Sequence, residues 1–421
     1  MLNSIEQKIV SFLLFATFIF ALSVHHWLSG FFLLMLLTAV IMIFRHPLNL
    51  NKDTKILVSI GVLIFITTLI SNTLNNSWID TRLERLEVDL KQLIALILIV
   101  YLANFKKSYV WFFRALPIAG IVLGYEILDP QFGKLSRQTG VYGWITFGAW
   151  SALLFYFVLL SKKEAEWPNK LLATSLQTFA LIATFSGVLL ANSRNGWLIF
   201  LALAIATILF YWQNVSKKII VLILLTLALF ITAFYQTNAG KHAYKRFNIA
   251  YQEVVYYFSS PTTNEHKKKT SQGIRLAQMQ AAYNASFNKP FFGYGAGGVG
   301  EAINDVIKAG KAPKHLKVKN AHKRAGHIHT DYGLTLVDKG YIGFTLKITF
   351  LFFIFITFFK KLKQNKNVAV MGMLLIIAYL TFSLTEAPFI RNNHTAFFFL
   401  SLAVIWNTLI HKKAADKNIW R

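Results

Sequence analysis

The chain has no cysteine among its 421 residues. That excludes disulfide stapling, a thiolate nucleophile and a cysteine-ligated metal, and it suits an oxidising exterior. Acidic residues are scarce: 18 Asp and Glu stand against 44 Lys and Arg, for a formal net charge of +26. No aspartate pair of the kind that holds a divalent ion for sugar transfer from a nucleotide is visible. Charged residues make up only 15% of the chain and hydrophobic ones 55%. This excludes an ordinary soluble domain, and with it the nucleic-acid partner that so basic a soluble protein would suggest. No internal repeat is apparent, which weakens a transporter built from inverted halves. Ser-His-Asp, zinc and nucleotide signatures are missing, and Gly293 to Gly300 lacks the strand and the Lys-Ser/Thr continuation of a phosphate loop.

What the chain does have is apolar sequence in membrane-crossing lengths. Twelve stretches stand out, at about 9–24, 27–44, 56–74, 90–103, 109–128, 141–160, 171–190, 196–212, 218–235, 331–359, 367–386 and 394–410. They predict an all-α integral membrane protein of about 12 transmembrane helices. It forms one polytopic membrane domain over 1–421, with an insertion at 236–330 between the ninth and tenth helices. The first stretch reads as a retained helix, not a cleaved signal. Lysine pairs at 106–107, 162–163, 217–218, 360–361 and 412–413 all fall on one side of this topology, which the positive-inside rule makes cytoplasmic together with both termini. The insertion then lies outside.

The insertion holds 15 Lys and Arg but four acidic residues. Residues 240–258 predict a helix with Tyr244, Phe247, Tyr251, Val255 and Phe258 on one stripe. A hinge with Pro261 and Lys267 to Lys269 follows, then a second helix from Ile274 to Asn288, a flexible turn over Gly293 to Gly298, and a basic helix or loop over 301–326. Such amphipathic helices can lie on a membrane surface or against the bundle. The lysine tracts 267–269 and 308–324 suit contacts with anionic membrane lipids.

Candidate chemistry gathers where this insertion meets the membrane again. His329 and Thr330 are followed by Gly340-Tyr341-Ile342-Gly343. A histidine at such a boundary can exchange protons with, or orient, a hydroxyl, and the glycines allow close helix packing below it. The His327-x-His329 pair without other ligand types makes a poor metal site, so no metal and no cofactor is expected. The outside ends carry arginine where the inside loops carry lysine: Arg82, Arg85, Arg137, Arg194 and Arg391. Arginine offers a planar fork suited to phosphate. Arg194 in a short turn between two stretches is costly unless it is paired or functional, and Arg275 near a helix start opposes the dipole and so is no cap. A flippase or transporter for an anionic lipid remains a rival. It requires charge deep within spans, where Arg114, Glu126 and Lys347 are the main candidates; Arg114 and Lys347 are expected to snorkel.

These residues together resemble the O-antigen ligase family. The family pattern is a histidine, then Asn, Ser or Gln, nine residues, Gly, two residues, and Gly, Thr or Tyr. Here it runs through His329, Thr330, Gly340 and Gly343, with threonine as the one departure. Ser193-Arg194 and the series Arg275, Ala281-Ala282, Pro290, Gly293, Gly295 resemble further family segments. The resemblance implies a GT-C-like membrane glycosyltransferase in a bacterial inner membrane, with a large, mainly helical periplasmic loop. It implies metal-independent transfer of a glycan from an undecaprenyl pyrophosphate donor to lipid A-core oligosaccharide. His329 would serve near the acceptor hydroxyl, with Arg194 and Arg275 on the donor pyrophosphate. Arg137, Arg391 and Glu386 are placed beside them by topology only. A single displacement would invert the anomeric centre. Protein O-oligosaccharyltransferases and O-antigen polymerases share this donor and remain alternatives.

Overall fold

The computed structural model describes residues 4–23, 27–43, 50–75, 78, 80–128, 143–191, 193–214, 235–236, 238–259, 270–318 and 328–415. Among them the regular elements are helical, with fourteen α-helices: α1 (Ser4–Ser23), α2 (Trp27–Ile43), α3 (Lys52–Leu74), α4 (Asp80–Leu102), α5 (Tyr109–Tyr125), α6 (Trp144–Ser161), α7 (Lys170–Leu190), α8 (Arg194–Tyr211), α9 (Asn238–Ser259), α10 (Ser271–Ser286), α11 (Val299–Lys308), α12 (Asp331–Lys360), α13 (Lys366–Ser383) and α14 (Asn392–Ala415). Helices stand where the apolar stretches predict them, apart from 218–235, of which all but the last residue lies outside the described residues. Five of them, α3, α7, α8, α12 and α13, are long and apolar enough to cross a membrane, which fits a multi-pass membrane protein.

Local sequence explains several helix starts. The side chains of Asn51, Asn169, Ser193, Thr270 and Asn365 accept hydrogen bonds from backbone N–H groups of the first turns of α3, α7, α8, α10 and α13. Small residues set the distances between helices. A Cβ on Gly124 of α5 would lie 2.4 Å from the Ala183 Cβ of α7, and one on Gly196 of α8 would lie 2.8 Å from the Gly148 backbone of α6. Lipid tails are as apolar as leucine, so close backbone approach of this kind, more than the hydrophobic effect, holds such helices together. The core runs along α13 and α14, where Phe397, Phe398, Trp406 and Met371 are fully enclosed. His394 is buried there as a structural residue: Trp150 Nε1 donates to its Nδ1 at 3.1 Å, and its Nε2 lies 3.1 Å from Thr146 Oγ1.

One expectation needs correcting. The stretch 331–359 reads as a single span, but Gly340 has φ 63° and ψ −168° and splits α12 into 331–339 and 341–360. The second piece, at about 1.5 Å per residue, is about 30 Å long and matches a bilayer by itself. The turn at 290–298 is pinned into the break: Tyr341 N–H donates to Pro290 O at 2.7 Å, Tyr294 N–H to Val337 O at 2.8 Å and Gly295 N–H to Asp338 O at 3.0 Å. From α3, Ser71 Oγ reaches Asp338 O at 2.9 Å and Asn72 Oδ1 accepts from Ala296 N–H at 2.7 Å. The glycine-rich turn is therefore a clamp, not a flexible connection. Backbone groups released by the helix break find partners in it, as a low-dielectric setting demands.

Candidate functional site

The first piece of α12 begins immediately after the His329–Thr330 pair, and neighbouring segments fix that histidine. Thr330 Oγ1 donates to Ser383 O at 2.9 Å, at the end of α13. Asp331 N–H donates to Glu386 O at 3.1 Å. Gln278 of α10 accepts from His329 N–H at 3.3 Å. Two backbone N–H groups and one hydroxyl thus hold 329–331 in place.

Side chains converge on Glu386, in the turn between α13 and α14. Its carboxylate has only 3% exposure. Oε1 lies 3.5 Å from Arg275 Nη2 and 3.5 Å from His329 Nδ1, and Oε2 lies 3.5 Å from Arg391 Nη2. Burial pushes the Glu386 carboxyl up, but His329, Arg391 and Arg275 together outweigh it and hold the group below the usual carboxylate range. Glu386 therefore remains a carboxylate. The basic groups it gathers are more open, with side-chain exposures of 27% for Arg275, 38% for His329 and 52% for Arg391. The acid is the buried anchor, and the basic groups face the solvent side.

Arg194 starts α8 on the Ser193 cap. Its Nε is buried without a hydrogen-bond partner among the described residues. The charges acting on it come from Arg246 first, then Glu253 and Arg275. Arg246 and Glu253 belong to α9, and Glu253 Oε2 accepts from Gln272 N–H at 3.1 Å where α9 meets α10. Arg194 thus lies within the field of Arg246, Glu253 and Arg275, and Arg275 in turn meets Arg391 at Glu386. Arg137 lies outside the described residues, as do Arg82's side chain and His327. Thr330 acts through its hydroxyl bond to α13. Gly340 serves as the chain break. At Gly343, an added Cβ would sit 2.3 Å from the Lys339 Cβ on the other side of that break.

Sequence reasoning missed Arg246, which lies on a helix singled out only for its aromatic stripe. It also missed an ionic cluster next to the site. Lys339 Nζ of α12 lies 2.7 Å from Asp89 Oδ1 of α4, and Lys347 Nζ is paired with Asp331 Oδ2 and lies 3.0 Å from Thr335 Oγ1. Lys347 therefore does not snorkel; the break at Gly340 folds it back toward Asp331. Arg114 behaves differently, donating to Ala165 O and Glu166 O at 2.8 and 2.7 Å and covering the Trp111 and Trp167 rings. Arg85, Asp89, Asp338 and both lysines line a cavity between α3, α4, α12 and α14. The spacing of Asp331, Asp338 and Lys339 on one helix was a readable signal, but only a broken helix brings Lys347 to the same place.

Residues 179–348 match the family model described as O-antigen ligase. The matched segment contains Arg194, Arg275, His329, Gly340 and Gly343, whereas Glu386 and Arg391 lie beyond it. No curated protein matches the chain. The family match supports glycan transfer of the ligase or polymerase type.

Proposed function

We propose, starting from that match, that this protein is an O-antigen ligase. It would transfer a glycan from undecaprenyl pyrophosphate to lipid A-core oligosaccharide at the periplasmic face of the bacterial inner membrane, without a metal. The observation that carries the reading is the convergence of His329, Arg275 and Arg391 on the buried carboxylate of Glu386. A hydroxyl acceptor needs a base, and a pyrophosphate leaving group needs fixed positive charge.

The geometry suits both tasks. Glu386 lies against the Nδ1 side of His329. A carboxylate there favours the tautomer with the proton on Nδ1 and leaves the Nε2 lone pair for the acceptor hydroxyl. As the hydroxyl oxygen attacks the anomeric carbon, its proton passes to Nε2 and the sugar–phosphate C–O bond breaks. The electron pair leaves with the pyrophosphate. Arg275, with Arg194 and Arg391, stabilises the charge growing on that group through guanidinium forks. The imidazolium formed is stabilised by Glu386 and later returns its proton to solvent or product phosphate. One displacement inverts the anomeric centre.

An O-antigen polymerase or a protein O-oligosaccharyltransferase would use the same donor site with another acceptor. The buried ionic cluster around Asp338 and Lys347 is what a lipid-linked glycan transporter would draw on. Purified protein mixed with an undecaprenyl-pyrophosphate glycan and lipid A-core separates these. Glycan on the lipid supports the ligase. Glycan on glycan, or on a periplasmic protein, moves the assignment to the alternatives, and movement of donor without transfer favours the transporter.

A further inference from the structure

Two helices of the insertion, α9 and α10, turn aromatic side chains away from the protein. On α10, Tyr283 and Phe287 are 57% and 58% exposed, and Phe291 just beyond the helix is 67% exposed. They recur every four residues and form one row, with the Tyr283 and Phe287 rings meeting edge to face at 4.9 Å. The opposite face is small and buried: Ala277, Ala281, Ala282 and Ala285. On α9, Phe247, Tyr251 and Phe258 make a second row at 64%, 62% and 72% exposure. The other face of α9 meets α10, where Tyr257 Oη lies 3.0 Å from Gln280 Oε1.

The level of these rows is fixed by the backbone. Ile342 N–H donates to Phe291 O at 3.2 Å, and Tyr341 N–H donates to Pro290 O at 2.7 Å. Tyr341 and Ile342 open the apolar piece 341–360, so Phe291 sits where that helix enters the hydrocarbon. Tyr244 of α9 meets Tyr235, at the end of the apolar stretch 218–235, ring to ring at 5.4 Å. Both rows are therefore tied to the ends of membrane-length sequence. Exposed Lys241 and Lys245 near the start of α9 add the positive charge that anionic head groups attract.

We propose that α9 and the C-terminal half of α10 form an interfacial platform, docked through these two aromatic rows into the phospholipid surface around the bundle. Aromatic rings with one apolar body and one wet edge favour this depth. The platform rests on the membrane character of the chain and not on the reaction proposed above, so either can fail without the other. It has a consequence for any lipid-linked ligand: Arg275 lies eight residues before Tyr283 on the same helix, so a head group held at this surface is about 12 Å from it along the helix.

The absence of cysteine makes the test direct, because each introduced cysteine is the sole labelling position. Full-length Phe287→Cys, Phe247→Cys and, as reference, Lys308→Cys would carry a nitroxide in nanodiscs of phosphatidylethanolamine and phosphatidylglycerol. Lys308 is well exposed, at 80% for its side chain. The expected result is severalfold greater relaxation by oxygen than by a water-soluble nickel chelate at 247 and 287, with the opposite ratio at 308. Tyr283→Cys gives a second readout on α10 should Phe287→Cys be poorly made. Chelate access at 247 and 287 equal to that at 308 would overturn the proposal. Access of neither reagent would also overturn it, since the rows would then be covered by protein.

Discussion

Four arginines belong to the candidate site, and they are not equivalent. Arg275 and Arg391 are already engaged by Glu386, whereas Arg194 Nε is buried with no partner among the described residues. A buried guanidinium N–H is costly to leave unmade, so Arg194 should respond most sharply to its ligand. Arg194→Ala is expected to lower transfer by ~10²–10³-fold, as for loss of one strong transition-state donor. Arg194→Lys should recover little, because a point charge cannot replace a fork; full activity of that variant in the reconstituted assay would refute a bidentate contact. Arg246→Ala tests the residue that the sequence concealed, with an expected rise in donor KM larger than the fall in kcat. An unchanged KM would remove Arg246 from the site. Glu386→Gln should lower stability near neutral pH and flatten the acid side of the stability profile. The folded pKa of Glu386 is depressed, so its contribution is full above the ordinary carboxylate range and is lost as pH falls through the lowered value. Thermal unfolding in detergent on stepping from about pH 6 to about pH 3 should thus weaken less in the variant than in the parent. Equal weakening would mean that the carboxylate is not held by its cations. His329, Arg194 and Arg275 were legible from the sequence because each is unusual for its setting. Glu386 was placed only by topology, since nothing local marks an acid that gathers three basic side chains from separate segments.

The break in α12 sets this geometry. Gly340 occupies a backbone region that is essentially glycine-only, and a Cβ there would sit 2.4 Å from Phe291 O. Gly340→Ala should cost ~1–3 kcal/mol from backbone strain alone and more from the clash. Its signature is loss of thermal stability together with loss of transfer. A stable, active Gly340→Ala protein would show that the turn at 290–298 is not clamped into the break. Lys347 and Asp331 make a second test. Removing one partner of a buried pair costs ~3–5 kcal/mol, whereas replacing both is far milder. Lys347→Met should therefore destabilise strongly, and adding Asp331→Asn should restore much of the loss; an unaltered melting temperature in Lys347→Met would place the amine in water. The helices themselves were readable from apolar length and the caps from Asn, Ser and Thr. The break was not, because periodicity carries apolar sequence smoothly across Gly340 and only the partner turn, some forty residues upstream, makes the positive φ favourable.

At the scale of the molecule, the membrane bundle provides the rigid frame and the insertion supplies half of the site. Arg275, Gln278, Arg246 and Glu253 come from the insertion helices, while Arg194, Glu386 and Arg391 come from the ends of bundle helices. Separating the two would leave neither half competent. The described site gathers arginine and histidine side chains on the Glu386 carboxylate, so EDTA should leave transfer intact; a loss restored by added divalent ion would contradict the metal-independent mechanism. The most direct measurement is transfer from undecaprenyl-pyrophosphate glycan to lipid A-core by the purified protein in lipid, compared with His329→Ala and with Lys308→Ala as a surface control. The account predicts robust glycosylated lipid and released polyprenyl pyrophosphate in the parent and control, and a loss of ~10²–10⁴-fold in His329→Ala at equal membrane level. Transfer by His329→Ala at the parent rate would contradict it.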